Sequence, residues 1–560
     1  MISTTLEGRE ATTSERERES REREMDIGVK SLLSLCLIGV CCLALYFYKI
    51  IWSVPERIRK QLRRQGIDGP PPSFPYGNLL DMKRLVVAAA AKGGGRRRRR
   101  RRGGGGGGGE VIQHDYRSSV FPHYEQWRNE YGPVFSYRMG NIVMLHVSQP
   151  EVVRDISLCV SLDLGKGSYL KKTHEPLFGQ GILKSNGETW AHQRKIIAPE
   201  FFLDKVKGMM DLMIDCTYPL LKAWEDKVEQ NGGIVEMKID DDLRTYSADI
   251  ISRACFGSSY VKGKEIFMKL RALQRVVSKP NMFAEITGFR YLPTKRNREA
   301  WRLNREIHSL ILKIVKESER GGEKNLLHAI LRNASGDEMG KADRFVVDNC
   351  KSIYFAGHET TAVTATWSLM LLGLHPEWQA RVREEVVDLT AGGRPPDARS
   401  LHKMKALTMV IQETLRLYPP GAFVSRETLQ EMKFGGIHIP KGVNVYVPVS
   451  TLHHDPKIWG EDVDEFNPAR FANGVIGACQ LPHMYLPFGA GTRTCLGQNF
   501  AMVELKIVLS LILSKFQFTL SPKYHHSPAL RLIVEPEFGV DLIMKKVEPK
   551  FDQQMEMKTS

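Results

Sequence analysis

The sequence predicts a mainly α-helical domain with a small β portion, preceded by a single transmembrane helix. Three observations carry that expectation. Ser31 to Trp52 is an apolar run broken by one charge, Lys49. From about 150 to 420, apolar residues recur at three- and four-residue spacing, as in Leu303, Ile307, Leu310, Ile311 and Ile314. Strand-like stretches are short and few: Val134–Tyr137, Ile142–His146, a hairpin over 436–448 turning at Pro440-Lys441-Gly442, and Leu532–Met544. With 560 residues, 42% of them hydrophobic, the chain can bury one large core or two modest ones. No internal repeat and no linker marks a second fold.

Taken in order, residues 1–30 alternate Glu with Arg and read as a disordered N-terminus. Residues 31–52 read as a signal anchor, since about 20 apolar residues cross a bilayer and Lys49 can snorkel. A cleaved signal peptide would have an apolar core of about 7–15 residues and a small-residue cleavage site, which does not follow. Arg57, Arg59, Lys60, Arg63 and Arg64 come next, opposed only by Glu56, so the positive-inside rule places the bulk of the chain in the cytosol. Residues 53–83 form a basic, proline-rich hinge in which Gly69-Pro70-Pro71-Pro72 favours a stiff extended backbone.

Residues 84–112 hold the run Arg96–Arg102 followed by Gly103–Gly109 and read as a disordered insertion. That run supplies seven of the net charge of +16, leaving 16 − 7 = +9 without it. The aromatic interleaving of a nucleic-acid surface is missing, so the basic balance points to no nucleic acid but to a surface loop or a contact with anionic lipid. Residues 113–548 then form the main folded domain and 549–560 a tail. Nine cysteines, three of them in the apolar run, do not make a disulfide framework and are expected as reduced thiols.

The densest chemistry lies at Phe488-Gly489-Ala490-Gly491-Thr492-Arg493-Thr494-Cys495-Leu496-Gly497, before a predicted helix from Gln498 to Leu513. A thiolate at a helix start is stabilised by free N–H groups and the dipole. Glycines permit turns and a close approach to a flat ligand. Alone, such a cysteine also suits a buried structural thiol. Ala356-Gly357-His358-Glu359-Thr360-Thr361 interrupts a long apolar helix, about Asp343 to Leu374, and suggests a local distortion with a hydroxyl turned inward. Glu413 and Arg416 share a helix face, and Arg470 can join them.

The pattern Phe-x-x-Gly-x-Arg-x-Cys-x-Gly resembles the haem-binding loop of cytochromes P450, and the other motifs resemble that family in the same order. The resemblance implies a P450 fold holding haem b (iron protoporphyrin IX), with Cys495 as axial iron ligand and Phe488 and Gly489 beside it. It implies Trp190, Arg194, Arg426 and Arg493 as partners of the haem propionates, because the Arg fork pairs with carboxylates. Thr360 and Glu359 match the residues that hold water near O2 and relay the protons that O–O cleavage consumes. Glu413, Arg416 and Arg470 match a structural triad, and Ala422, Phe423 and Val424 a segment lining the substrate pocket. His358 is assigned to helix packing or to the substrate side.

Electrons would come from NADPH through NADPH–cytochrome P450 reductase, with the chain single-pass in the endoplasmic reticulum membrane and its catalytic domain cytosolic. An isomerase of the same fold, or a non-enzymatic haem protein, is the competing expectation; Glu359-Thr360 argues for oxygen activation. Stretches such as SFPYGNLLDM, DNCKSIYFAG and LIVEPEFGVDLIM resemble plant P450s that oxidise gibberellins, the grass 13-oxidases among them. The chain departs from that group at His358 and Thr360, where an aromatic residue and a Ser are expected.

Overall fold

The computed structural model describes residues 4–102, 112–169, 174–257, 260–278, 292–321, 326–334, 339–390 and 394–547. A helix spans Thr4–Tyr48, a π-turn follows at Lys49–Ser53, and a second helix covers Val54–Arg63. Met25–Arg63 is long and apolar enough to cross a membrane, and its most apolar stretch is wholly unburied. Two expectations are corrected here. The N-terminal segment is helical from Thr4 rather than disordered, and a helix Leu79–Arg102 runs into the supposed insertion. Glu, Arg and Ala are strong helix formers, so local propensity acts where no core is available. Residues 103–111, the rest of the insertion, and the tail 549–560 lie outside the described residues.

The proline-rich segment is not a free spacer. Asn78 Nδ2 donates to Pro70 O at 3.3 Å and Pro71 O at 2.9 Å, and the fully buried Arg59 donates to Gly69 O at 3.3 Å and Pro70 O at 3.1 Å. A Cβ at Gly69 would sit 1.9 Å from Ser136 O, so only glycine permits this approach. Buried Arg138 donates to Ile51 O, in the π-turn, and its guanidinium lies 4.5 Å over the Trp52 ring. Contacts with the folded unit therefore reach back to Ile51, well before 113.

Among the described residues twelve strands are present: β1 Val134–Met139, β2 Ile142–Val147, β3 Leu164–Gly165, β4 Ile234–Lys238, β5 Val424–Thr428, β6 Met432–Phe434, β7 Ile437–Ile439, β8 Asn444–Val447, β9 Phe516–Leu520, β10 Pro528–Arg531, β11 Ile533–Pro536 and β12 Asp541–Lys546. The largest sheet has the order β1-β2-β8-β5-β3, with β2 and β8 parallel. A second is β4-β12-β9, and β6-β7 and β10-β11 pair separately. The hairpin expected over 436–448 does not form. β7 pairs back with β6 across Gly435-Gly436, both at positive φ, and β8 joins β2 and β5.

Helices build the rest. Met339–Leu374, the distal helix below, crosses the core and packs against Asp240–Phe256. Its C-terminal half is buried on every side, and Trp367, Leu369, Met370, Leu371 and Leu372 are fully buried, as a central helix requires. Gln498–Lys515, the proximal helix, starts right after the cysteine loop and contacts the distal helix.

Candidate active site

Between these two helices lies an internal cavity of about 350 Å³, lined mostly by apolar side chains. The cysteine loop forms one wall. Cys495 N donates to Phe488 O at 2.9 Å, closing the loop on itself, and Gly497 caps the proximal helix. Gly489 and Gly491 both have φ of +70°, where a side chain is strained, and a Cβ at Gly491 would meet Ser157 O at 2.5 Å. Gly497 has an ordinary φ and open space around it, so its glycine is not demanded by the chain itself. Phe488, Gly489 and Cys495 all line the cavity. Burial pushes the Cys495 thiol up, opposed by the Gly497 N–H and by Arg194. A metal ion at the sulfur reverses that balance, since coordination deprotonates a thiol outright.

Trp190 and Arg194 sit one turn apart on the helix Gly187–Ile197 and reach the same cavity. The Arg493 guanidinium lies 4.2 Å over the Trp190 ring, and Arg194 lies 5.5 Å from it. Arg194 donates to Thr494 O at 3.0 Å; Arg493 donates to Ser185 O and Asn186 Oδ1, each at 3.1 Å; Arg426 bonds its own neighbour, Ser425 O, at 3.0 Å. A fourth cation, Lys166, joins them, which the sequence did not single out. Among the described residues none of the four forms an ion pair with a carboxylate. Burial, then mutual repulsion among the cations, pulls Lys166 down to about 7 and Arg493 to about 10, and burial pulls Arg426 to about 10. Three arginines and a lysine without a carboxylate partner among the described residues, facing a cavity with a cysteine in its wall, fit a flat dianionic ligand, whose charge would also favour the protonated Lys166. Haem b, with two propionates, has that charge and shape.

The opposite wall is the distal helix. Ser352, Ile353, Ala356, Gly357, Thr360, Thr361 and Thr364 line the cavity, at three- and four-residue spacing. The expected distortion is absent: the helix is continuous through Gly357 and Thr360. Gly357 is needed for close packing, because a Cβ there would lie 2.4 Å from Ile251 Cδ1. The Thr360 hydroxyl donates to Ala356 O at 2.7 Å, leaving its lone pairs toward the cavity side as acceptors.

Glu359 does not line the cavity. At about 100° per residue, Glu359 falls just beyond the edge of the arc that Ser352 to Thr364 present to the cavity. Glu359 is buried against the Asp240–Phe256 helix, where Oε2 accepts from Arg244 Nε at 3.2 Å and Oε1 lies 3.3 Å from His358 Nε2. Burial works against its charge, yet His358 and Arg244 hold its carboxyl at about 2. His358 is likewise turned away, which corrects its assignment to the substrate side. Its Nδ1 lies 2.6 Å from Tyr354 O and its ring meets Phe267 edge-on at 4.8 Å. Phe423 and Val424 line the cavity, whereas Ala422 is buried behind them.

The three expected structural residues are brought together outside the cavity. Glu413 and Arg416 are fully buried and doubly bonded, at 2.8 and 2.7 Å. Arg470 Nε approaches Glu413 Oε1 only to 3.7 Å; its closer partner is Asp462, at 2.7 and 3.0 Å.

Fold and site define a helical haem-thiolate monooxygenase. The chain belongs to the cytochrome P450 family, whose model matches residues 109–543. Such enzymes hold haem and use O2 with NADPH-derived electrons passed on by a reductase. The chain is 65% identical over 526 residues to cytochrome P450 714B2 of Oryza sativa subsp. japonica, covering 93% of this chain and 98% of that protein. It is 66% identical over 529 residues to cytochrome P450 714B3 of Zea mays, covering 94% and 98%. Cytochrome P450 714A2 of Arabidopsis thaliana is 41% identical over 527 residues, covering 91% and 98%.

Proposed function

We propose that this chain hydroxylates a gibberellin, a rigid tetracyclic diterpenoid acid, at carbon 13. The observation that carries the substrate class is the resemblance of its sequence to the grass gibberellin 13-oxidases. The cavity supports it: Ile182, Leu183, Ile251, Ile353, Phe423 and Val424 offer a broad apolar wall to a bulky hydrocarbon. In the same reading the anchor lies in the endoplasmic reticulum membrane, with the catalytic domain in the cytosol and NADPH–cytochrome P450 reductase as partner.

The residues take the following roles. Cys495 Sγ would ligate the haem iron as a thiolate, and Arg194, Arg426, Arg493 and Trp190 would hold the propionates, with Lys166 adding a fourth basic group. Bound haem supplies the iron at which O2 is reduced. Thr360 offers its hydroxyl oxygen to a water beside that site, and the apolar wall orients the substrate and excludes bulk water. Feeding gibberellin precursors to cells that express the full chain with a plant reductase should yield products one oxygen heavier by mass spectrometry. Unchanged gibberellins alongside oxidation of another hormone or lipid would refute the substrate assignment.

A further inference from the structure

The helix Leu79–Arg102 starts beside the membrane span and ends in seven consecutive arginines. Its start is tied to the end of the span. The Phe74 ring packs on Trp52 at 5.6 Å and on Tyr48 at 6.4 Å, and the helix begins five residues after Phe74. Between Met82 and Gly109 the chain has ten basic residues, Lys83, Arg84, Lys92 and Arg96–Arg102, and no acid. Arg84 reaches back to Asp81 at 3.3 Å and is otherwise open to solvent. The same turns present apolar side chains outward: Leu80, Val86 and Val87 are 41%, 40% and 60% exposed. Leu80, Val87 and Ala91 follow one another at about two turns and one turn, so they form an exposed stripe, with Lys83 and Arg84 on either side of it. Position 98 lies eighteen residues after Leu80, about five turns, and falls on the line of that stripe.

The end of this helix opposes its own formation. Arg96 and Arg100, Arg97 and Arg101, and Arg98 and Arg102 are like charges one turn apart, and Gly93-Gly94-Gly95 weakens the helix before them. A counter-charge from outside the helix removes that opposition. The span holds the helix start at a bilayer, so the lipid surface is the counter-charge at hand. An interface with anionic headgroups takes both parts of the segment: apolar side chains enter the boundary below the headgroups, and guanidinium groups pair with phosphate and carboxylate. We propose that Leu79–Arg102 is a second membrane contact, lying along the bilayer with its apolar stripe in the headgroup boundary and Arg96–Arg102 on anionic phospholipid. The contact selects anionic lipid, which an apolar span does not, and it gives the folded domain a second point of attachment. The inference rests on the spanning anchor and is independent of the substrate assignment.

The test uses the full-length haem-loaded protein in vesicles of phosphatidylcholine alone or of phosphatidylcholine mixed with phosphatidylserine, and follows amide hydrogen exchange. Amides of Leu79–Arg102 should exchange several-fold more slowly in the phosphatidylserine vesicles. Salt at about 1 M, where charges are screened within roughly 3 Å, should remove most of that difference. Replacing Arg96 to Arg102 together by Gln should abolish it, while haem content and the slow exchange of the distal helix stay as they were. Val87→Asp should reduce it with every arginine in place. Equal exchange in the two lipids overturns the proposal, as does a phosphatidylserine effect that survives in the Gln variant or is undiminished in Val87→Asp. Protection that appears only when reductase is added, in either lipid, overturns it as well and makes an acidic protein surface the partner.

Discussion

Replacing Arg416 by Met should nearly unfold the enzyme, although the residue touches neither cavity nor cysteine loop. Arg416 and Glu413 are fully buried, and the guanidinium bonds both carboxylate oxygens at 2.8 and 2.7 Å. It also donates to His453 O at 2.9 Å, Val463 O at 2.6 Å and Glu465 O at 3.1 Å. Stranding one member of a buried pair costs about 3–5 kcal/mol. Three carbonyls deprived of a donor add roughly 1 kcal/mol each. The sum, about 6–8 kcal/mol, rivals the whole stability of a typical domain, about 5–15 kcal/mol. Arg470→Met is the control. Its main partner Asp462 has a side chain 38% exposed and can be hydrated, and Glu413 keeps Arg416, so the loss should be about 1–2 kcal/mol. The double variant Glu413→Gln with Arg416→Met removes the stranded charge and should recover part of the loss. Urea midpoints followed by haem absorbance give the ranking. An Arg416→Met protein as stable as Arg470→Met would refute the reasoning.

Further expectations follow from other parts of the molecule. Cys495→Ser should abolish the thiolate-type spectrum of the reduced CO complex; a mutant that keeps that spectrum has another axial ligand. Deleting residues 1–48 removes the exposed apolar helix but keeps the π-turn that holds Arg138, so it should shift the protein toward the soluble fraction without loss of haem. Carbonate washing that extracts both forms equally would contradict a spanning anchor. Glu504, fully buried on the proximal helix, has its carboxyl pushed up to about 8 by burial. The folded state therefore holds a proton that the unfolded chain releases above its ordinary value of about 4.3, and stability falls between there and pH 8, by at most roughly 1.4 kcal/mol per unit. Glu504→Gln should flatten that decline and gain over wild type at pH 8 but not at pH 5; parallel urea midpoints for both proteins would contradict it.

What could be read from the sequence depended on how local each cause is. The cysteine loop was legible because thiol, glycines and helix start are consecutive, and the structure places Phe488, Gly489, Arg493 and Cys495 on one cavity. Lys166 was not, because β3 brings it there from more than 300 residues away and no spacing connects it to the loop. The hairpin over 436–448 failed for a similar reason. Its turn signal is real, but β8 finds partners in β2 and β5, and pairing across such distances leaves no mark in the turn. The N-terminal and Arg-rich segments failed in the opposite direction: composition excluded a core but not a helix. Glu359 is the instructive case, since the motif joins it to Thr360 while helix arithmetic sets them about 100° apart. Motif and geometry part there, because Arg244, 115 residues earlier in the chain, bonds the acid on the side of the helix turned away from the cavity. A bond across 115 residues leaves no mark in the motif, so the placement of that acid shows only once the fold is known.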